Sequence, residues 1–161
     1  MNTNPNWPRW IFASLSKHFA DAMEVAKIPL FIEGQYRDTD ELKEFVELRM
    51  QGPTYRQISK GCWWLRVEIN ILIQFTMNDK DYHRPHQMVG IAAAAFKDAI
   101  IAYKKGNGPD DDQTVLGCLQ LLQDSRSREF LETHQFGQID KKTNIIQAAV
   151  EGHYKMILNT L

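Results

Sequence analysis

The chain has 161 residues, 43% of them hydrophobic and 24% charged, which suits one soluble globular domain with a real core. Its formal net charge of −1 lacks the basic excess of a nucleic-acid binder, and its dense charge run is acidic, at Asp110–Asp112. No apolar run reaches the roughly 18 residues that span a membrane, and MNTNPNWPRW has no basic stretch leading into an apolar one, so it does not read as a signal peptide.

Residues 1–8 are mostly polar, carry Pro5 and Pro8, and read as a short N-terminal arm of the single domain 1–161. Trp10, Ile11, Ser14, Leu15, His18, Phe19, Ala22 and Met23 then recur at helical spacing and predict an amphipathic helix over about 9–26. Pro29 ends it. LFIEGQY (30–36) reads as a strand. Residues 45–50 alternate, with Val46, Leu48 and Met50 on one parity, until Gly52-Pro53 breaks the pattern. TYRQIS (54–59) fits a further strand or an extended loop.

Residues 63–76, WWLRVEINILIQFT, are the most informative stretch. Leu65, Val67, Ile69, Ile71, Ile73 and Phe75 share one parity, and Trp64, Arg66, Glu68, Asn70 and Gln74 share the other. Side chains of a strand alternate faces, so one face is oily and the other polar. Twelve residues of strand extend roughly 40 Å at about 3.3 Å each. That matches the whole diameter of a compact chain of this length, whose radius of gyration is about 15 Å.

Asn78 to Pro85 reads as a polar loop. From Pro85 to Lys104 the pattern turns helical, with alanines at 92–95 and Gly106 as the stop. GNGPDDDQ (106–113) is a loop, Thr114–Gln123 a strand, and 126–137 fits either class. The C-terminal run alternates again, with Ile146, Ala148, Val150, Gly152, Tyr154, Met156 and Leu158 on one parity. Ile145, Ala149 and Ile157 are exceptions, but the cleaner match to a period of two and the internal Gly152 favour strand over the helix its alanines would allow. It offers the long strand a partner of equal length. The expected fold is α+β, a largely antiparallel sheet with long strands and two main helices packed on one face.

Chemistry is sparse in this sequence. His83 and His86 have the spacing of two metal ligands, but Pro85 lies between them and no third ligand follows at a recognisable distance. Asp110, Asp111 and Asp112 lack the calcium-loop pattern and fit a solvated loop. The phosphate-loop, dinucleotide, nucleophile-elbow and zincin strings do not occur. Glu33, Asp38, Glu47 and Glu68 are scattered, and spacing pairs none of them. Cys62 and Cys118 fit no metal spacing and read as reduced, partly buried thiols. No catalytic residue, cofactor or metal is assigned. Adjacent tryptophans on a strand point to opposite faces. One of Trp63 and Trp64 therefore enters the core, and the other needs a cover, from the same chain or from a neighbour.

The segments RWIFASLSKHFADA, PLFIEGQYRDT, FVELRMQGP and CWWLRVEINILIQ, followed by an alanine-rich helix and closing strands, resemble in order and texture the head–tail junction proteins of tailed bacteriophages, above all the tail terminator family. The resemblance spans most of the chain and contains no sharp motif. It implies a non-enzymatic virion protein, assembled in the host cytoplasm, that forms a homo-hexameric ring. Such a ring caps the tail tube, joins it to the head connector, and lets DNA pass without binding it specifically. It implies an acidic lumen, which Asp110–Asp112 would line unless they face a neighbouring ring. Two other classes stay open: a homo-oligomeric or adaptor domain unrelated to phage, and a metal-dependent enzyme using His83 and His86.

Overall fold

The computed structural model describes residues 4–35, 38–77, 82–104, 114–123, 128–140 and 144–159, with only the backbone at 136–140. Its elements run α1 (Trp7–Val25), β1 (Leu30–Ile32), β2 (Glu44–Ser59), β3 (Cys62–Thr76), α2 (Arg84–Ala95), β4 (Ala99–Lys104), β5 (Thr114–Leu122), β6 (Leu131–Asp140) and β7 (Ile145–Asn159). The strands form one sheet in the order β1-β2-β3-β7-β5-β4, with β6 also paired to β7. Among the described residues, only β1–β2 is parallel. The fold is α+β.

The two long alternating segments find each other. β3 and β7 pair antiparallel without a slip, from Cys62 opposite Asn159 to Thr76 opposite Ile145. Because the side-chain period is two, this register puts the oily parity of both strands on the same side. There Leu65, Val67, Ile69 and Ile71 meet Val150, Tyr154, Met156 and Leu158, all buried. Both helices pack on that face. Trp10, Ile11, Leu15, Phe19 and Met23 form the buried stripe of α1, and Met88, Ala92 and Ala95 that of α2. Lys27 adopts a positive φ of 57° just past α1, and Ile28 N–H donates back to Met23 O at 3.0 Å, which closes the helix before Pro29.

Some expectations need correction. The arm predicted over residues 1–8 gives way to helix at Trp7, whose side chain is buried with its ring 6.2 Å from that of Tyr55. A buried tryptophan ties the segment down, which the polar composition around it hides. Gly52-Pro53 does not end a strand. Gly52 and Pro53 stand together opposite Val67, a bulge, and β2 runs on through TYRQIS. A bulge tolerates the missing proline N–H, and Gly52 takes a φ of 103° that other residues resist. The helix predicted to reach Lys104 stops at Ala95, and Phe96 turns extended. Ile100 and Ala102 are buried while Ala99 and Ile101 are exposed, so 99–104 is a strand whose apolar residues also happened to fit helical spacing. The ambiguous 126–137 segment contains the start of β6.

Tyr154 anchors the α2–β4 junction from inside the sheet. Fully buried, it stacks on Phe96 with centroids 6.2 Å apart and donates its hydroxyl to Lys97 O at 2.9 Å. Burial holds its phenol well above the ordinary value of 10.0. The unfolded chain therefore loses a proton near pH 10 that the folded chain keeps, so stability falls as pH rises beyond about 10. Tyr154→Phe should cost about 1 kcal/mol near neutral pH. It should also reduce the alkaline loss. Urea denaturation at pH 7 and at about pH 10.5 reads both effects.

Candidate functional site

The helix-free face of the sheet carries the polar parity of β3: Trp64, Arg66, Glu68, Asn70 and Gln74. Trp63 is only 5% exposed and belongs to the core. Trp64 is half-buried on the opposite face, across from Arg56 of β2 and Ile157 of β7. The question of which tryptophan lies under cover is thus answered by parity.

Trp64 stands in a groove of about 700 Å³ whose lining includes Arg56, Ile58, Cys118, Lys155 and Ile157. Local strand geometry opens it. β5 pairs with β7 only through Gln120–Leu122, opposite Lys155, Tyr154 and His153, and its earlier residues pair with β4. The last residues of β7 therefore lose their neighbour on that side. Gly117 permits the close crossing, since a Cβ there would lie 2.7 Å from Met156 Sδ. Ile58 and Ile157 stay 55% and 60% exposed. The ammonium of Lys155 lies 5.6 Å from the Trp64 ring centroid, a cation–π contact. A smaller hollow of about 210 Å³, touched by Tyr55, Arg66 and Leu122, flanks the same ring. The groove is thus apolar at its centre, basic at its edge, and has an aromatic platform. Cys118 is exposed here, against the expectation of a partly buried thiol.

No protein-family model and no curated protein matches this sequence. The fold does have a counterpart. One solved structure superposes with a TM-score of 0.57 at 11% identity, over 92% of this chain and 94% of its own. At that identity the likeness shows the architecture alone, and it extends over nearly all of this chain. No helix among the described residues is long and apolar enough to cross a membrane.

The remaining candidates separate. Asp110, Asp111 and Asp112 lie outside the described residues. His83 and His86 are both exposed at the start of α2, and His86 Nδ1 shares a hydrogen bond with Gln135 Nε2 at 3.0 Å. Among the described residues, no third ligand gathers with them. Glu33 and Glu47, unpaired by spacing, both reach Arg49, at 3.8 and 2.7 Å.

Glu68 is the carboxylate whose surroundings the sequence hid. It lies opposite His153 in the β3–β7 register, and Glu151 follows two residues away on the same face. Each of the three offers a ligand atom within 4.8 Å of the other two. Separations of 83 and 85 residues leave no local motif; only the pairing of the two long strands in this register could have revealed the group.

Proposed function

We infer that this chain is a non-enzymatic structural subunit of a tailed-bacteriophage head–tail junction, a ring-forming protein of the tail terminator kind. In this reading it forms a homo-hexameric ring in the virion, after assembly in the host cytoplasm. The ring sits on the tail tube, meets the head connector, and leaves a channel through which DNA passes without specific binding. The resemblance in the order of its segments supports this, as does a net charge of −1, since affinity for phosphate needs clustered Lys and Arg.

The observation that carries the reading is Trp64. A large aromatic on the solvent face of a sheet, flanked by exposed Ile58 and Ile157, is a surface that a neighbouring subunit covers. Trp63 holds the fold and Trp64 holds the assembly.

Light scattering and negative stain test this directly. The wild-type chain should show a six-fold mass, or rings when purified tail tube is supplied. Trp64→Ser should leave the fold and its denaturation midpoint in place. A loss of about 2 kcal/mol at each contact is roughly a 30-fold weakening, enough to leave monomers at micromolar concentration. Trp63→Ser should instead lower stability. A Trp64→Ser protein that still assembles as the wild type would reject the contact. A wild-type chain that stays monomeric with tail tube present would reject the ring.

A further inference from the structure

We propose that Glu68, Glu151 and His153 form a binding site for one divalent transition cation of the zinc type, clipping β3 to β7 at the centre of the sheet's open face. It stands apart from the ring reading, because its residues lie on the two strands that build the fold.

The backbone sets the geometry. Glu68 and His153 are directly opposite, so their Cβ atoms lie about 5 Å apart, and Glu151 shares their face from two positions along β7. One imidazole nitrogen and two carboxylates on neighbouring positions are a donor set that suits zinc and its neighbours in the first transition row. Hard magnesium would prefer oxygen alone.

Two features separate this group from an ordinary surface ion pair. His153 Nδ1 is shut off from solvent and makes no hydrogen bond, although Glu68 Oε2 lies 4.0 Å away. Its other nitrogen lies 3.7 Å from Glu151 Oε1. Both approaches are too long for hydrogen bonds, and a buried nitrogen without a partner is costly. An ion between the three side chains would give that nitrogen a bond and each carboxylate a counter-charge.

The charge balance points the same way. Among the described residues, neither Glu68 nor Glu151 has a Lys or Arg within ion-pair distance; each meets only His153. Lys155, the next residue of this face along β7, is drawn over the Trp64 ring instead. On β6, Glu132 stands opposite Glu151, with its own carboxylate 3.5 Å from His134 Nε2. A divalent ion would supply a counter-charge to the two carboxylates.

Calorimetric titration of metal-stripped full-length chain with Zn²⁺ alone tests the site. The expected result is one saturable ion per chain in the micromolar range, with a rise in Tm of about 5–10 °C at a hundred-fold excess over Kd. His153→Gln should weaken binding more than about tenfold, and so should the near-isosteric Glu68→Gln/Glu151→Gln pair. A His83→Gln/His86→Gln chain should bind as the wild type. Because the glutamine pair keeps side-chain shape, it tests the site even if His153→Gln fails to fold. Binding no tighter than about 1 mM, or affinity that survives the Glu68→Gln/Glu151→Gln change, overturns the proposal.

Discussion

Replacing Phe19 with alanine is expected to destabilise the fold by about 3–5 kcal/mol. Phe19 has no exposed surface, and it sits where α1 crosses the end of α2. Its ring meets Phe96 edge-on with centroids 5.1 Å apart, and His18 beside it at 5.2 Å. Phe96 in turn stacks on Tyr154, so the aromatic column runs from helix to sheet. Truncation removes apolar burial and leaves a cavity that neighbours held by the sheet cannot fill. His18 Nε2, 2.8 Å from Ala95 O, fixes the same crossing and limits collapse. A domain this size holds about 5–15 kcal/mol in total, so the loss is a large share. Thermal unfolding should shift down by about 10 °C or more. Phe12, only partly buried on the same helix, should cost far less when truncated. Equal effects at the two positions would mean that the Phe19–Phe96 crossing is not where α1 is held.

What was legible in the sequence follows from how far each signal reaches. The faces of β3 and β7 could be read along most of their length, since alternation sustained over 15 residues fits a strand better than a helix, although Leu72 and the buried Ala149 break the pattern. Their mutual pairing was also legible, since two such strands of equal length satisfy each other's edges. β4 was hidden because Phe96, Ile100 and Tyr103 are spaced four and three apart, which a helix would require, while the alternation of 99–104 spans only six residues. The start of α1 was hidden because Asn4, Pro5 and Asn6 precede the buried Trp7. The sequence identified Trp63 and Trp64 as a pair with one member to be covered, and the structure assigned them, Trp63 to the core and Trp64 to the open face. The groove itself was not legible. It exists because β5 leaves β7 after a three-residue pairing, a matter of sheet curvature and of Gly117. The grouping of Glu68 with Glu151 and His153 depends on a register formed across more than 80 residues, which no short spacing encodes.

Gly152→Val should reverse the effect that strand propensity predicts. Glycine weakens a strand interior and valine favours one, so propensity alone foresees a gain of up to about 1 kcal/mol. The site decides otherwise. Gly152 points into the core between Ile69 of β3 and Leu131 of β6, and even one added carbon would lie 2.8 Å from both Leu131 Cδ2 and Phe96 Cε1. Leu131 ends in a flexible branch that can turn aside. Phe96 cannot, since its ring is held between Phe19 and Tyr154. Overpacking of this kind costs about 1–3 kcal/mol, and valine adds two further methyl carbons, so a net loss of about 3 kcal/mol is expected. Shortening the obstructing ring supplies the internal control. Phe96→Leu alone should be destabilising, yet in the Gly152→Val background it should cost much less or restore part of the loss, a coupling of about 1 kcal/mol or more. Urea denaturation of the two single variants and the double variant measures it. Strict additivity would show that the glycine is there for some reason other than room for the Phe96 ring, and would weaken the view that this aromatic column joins the helical layer to the sheet.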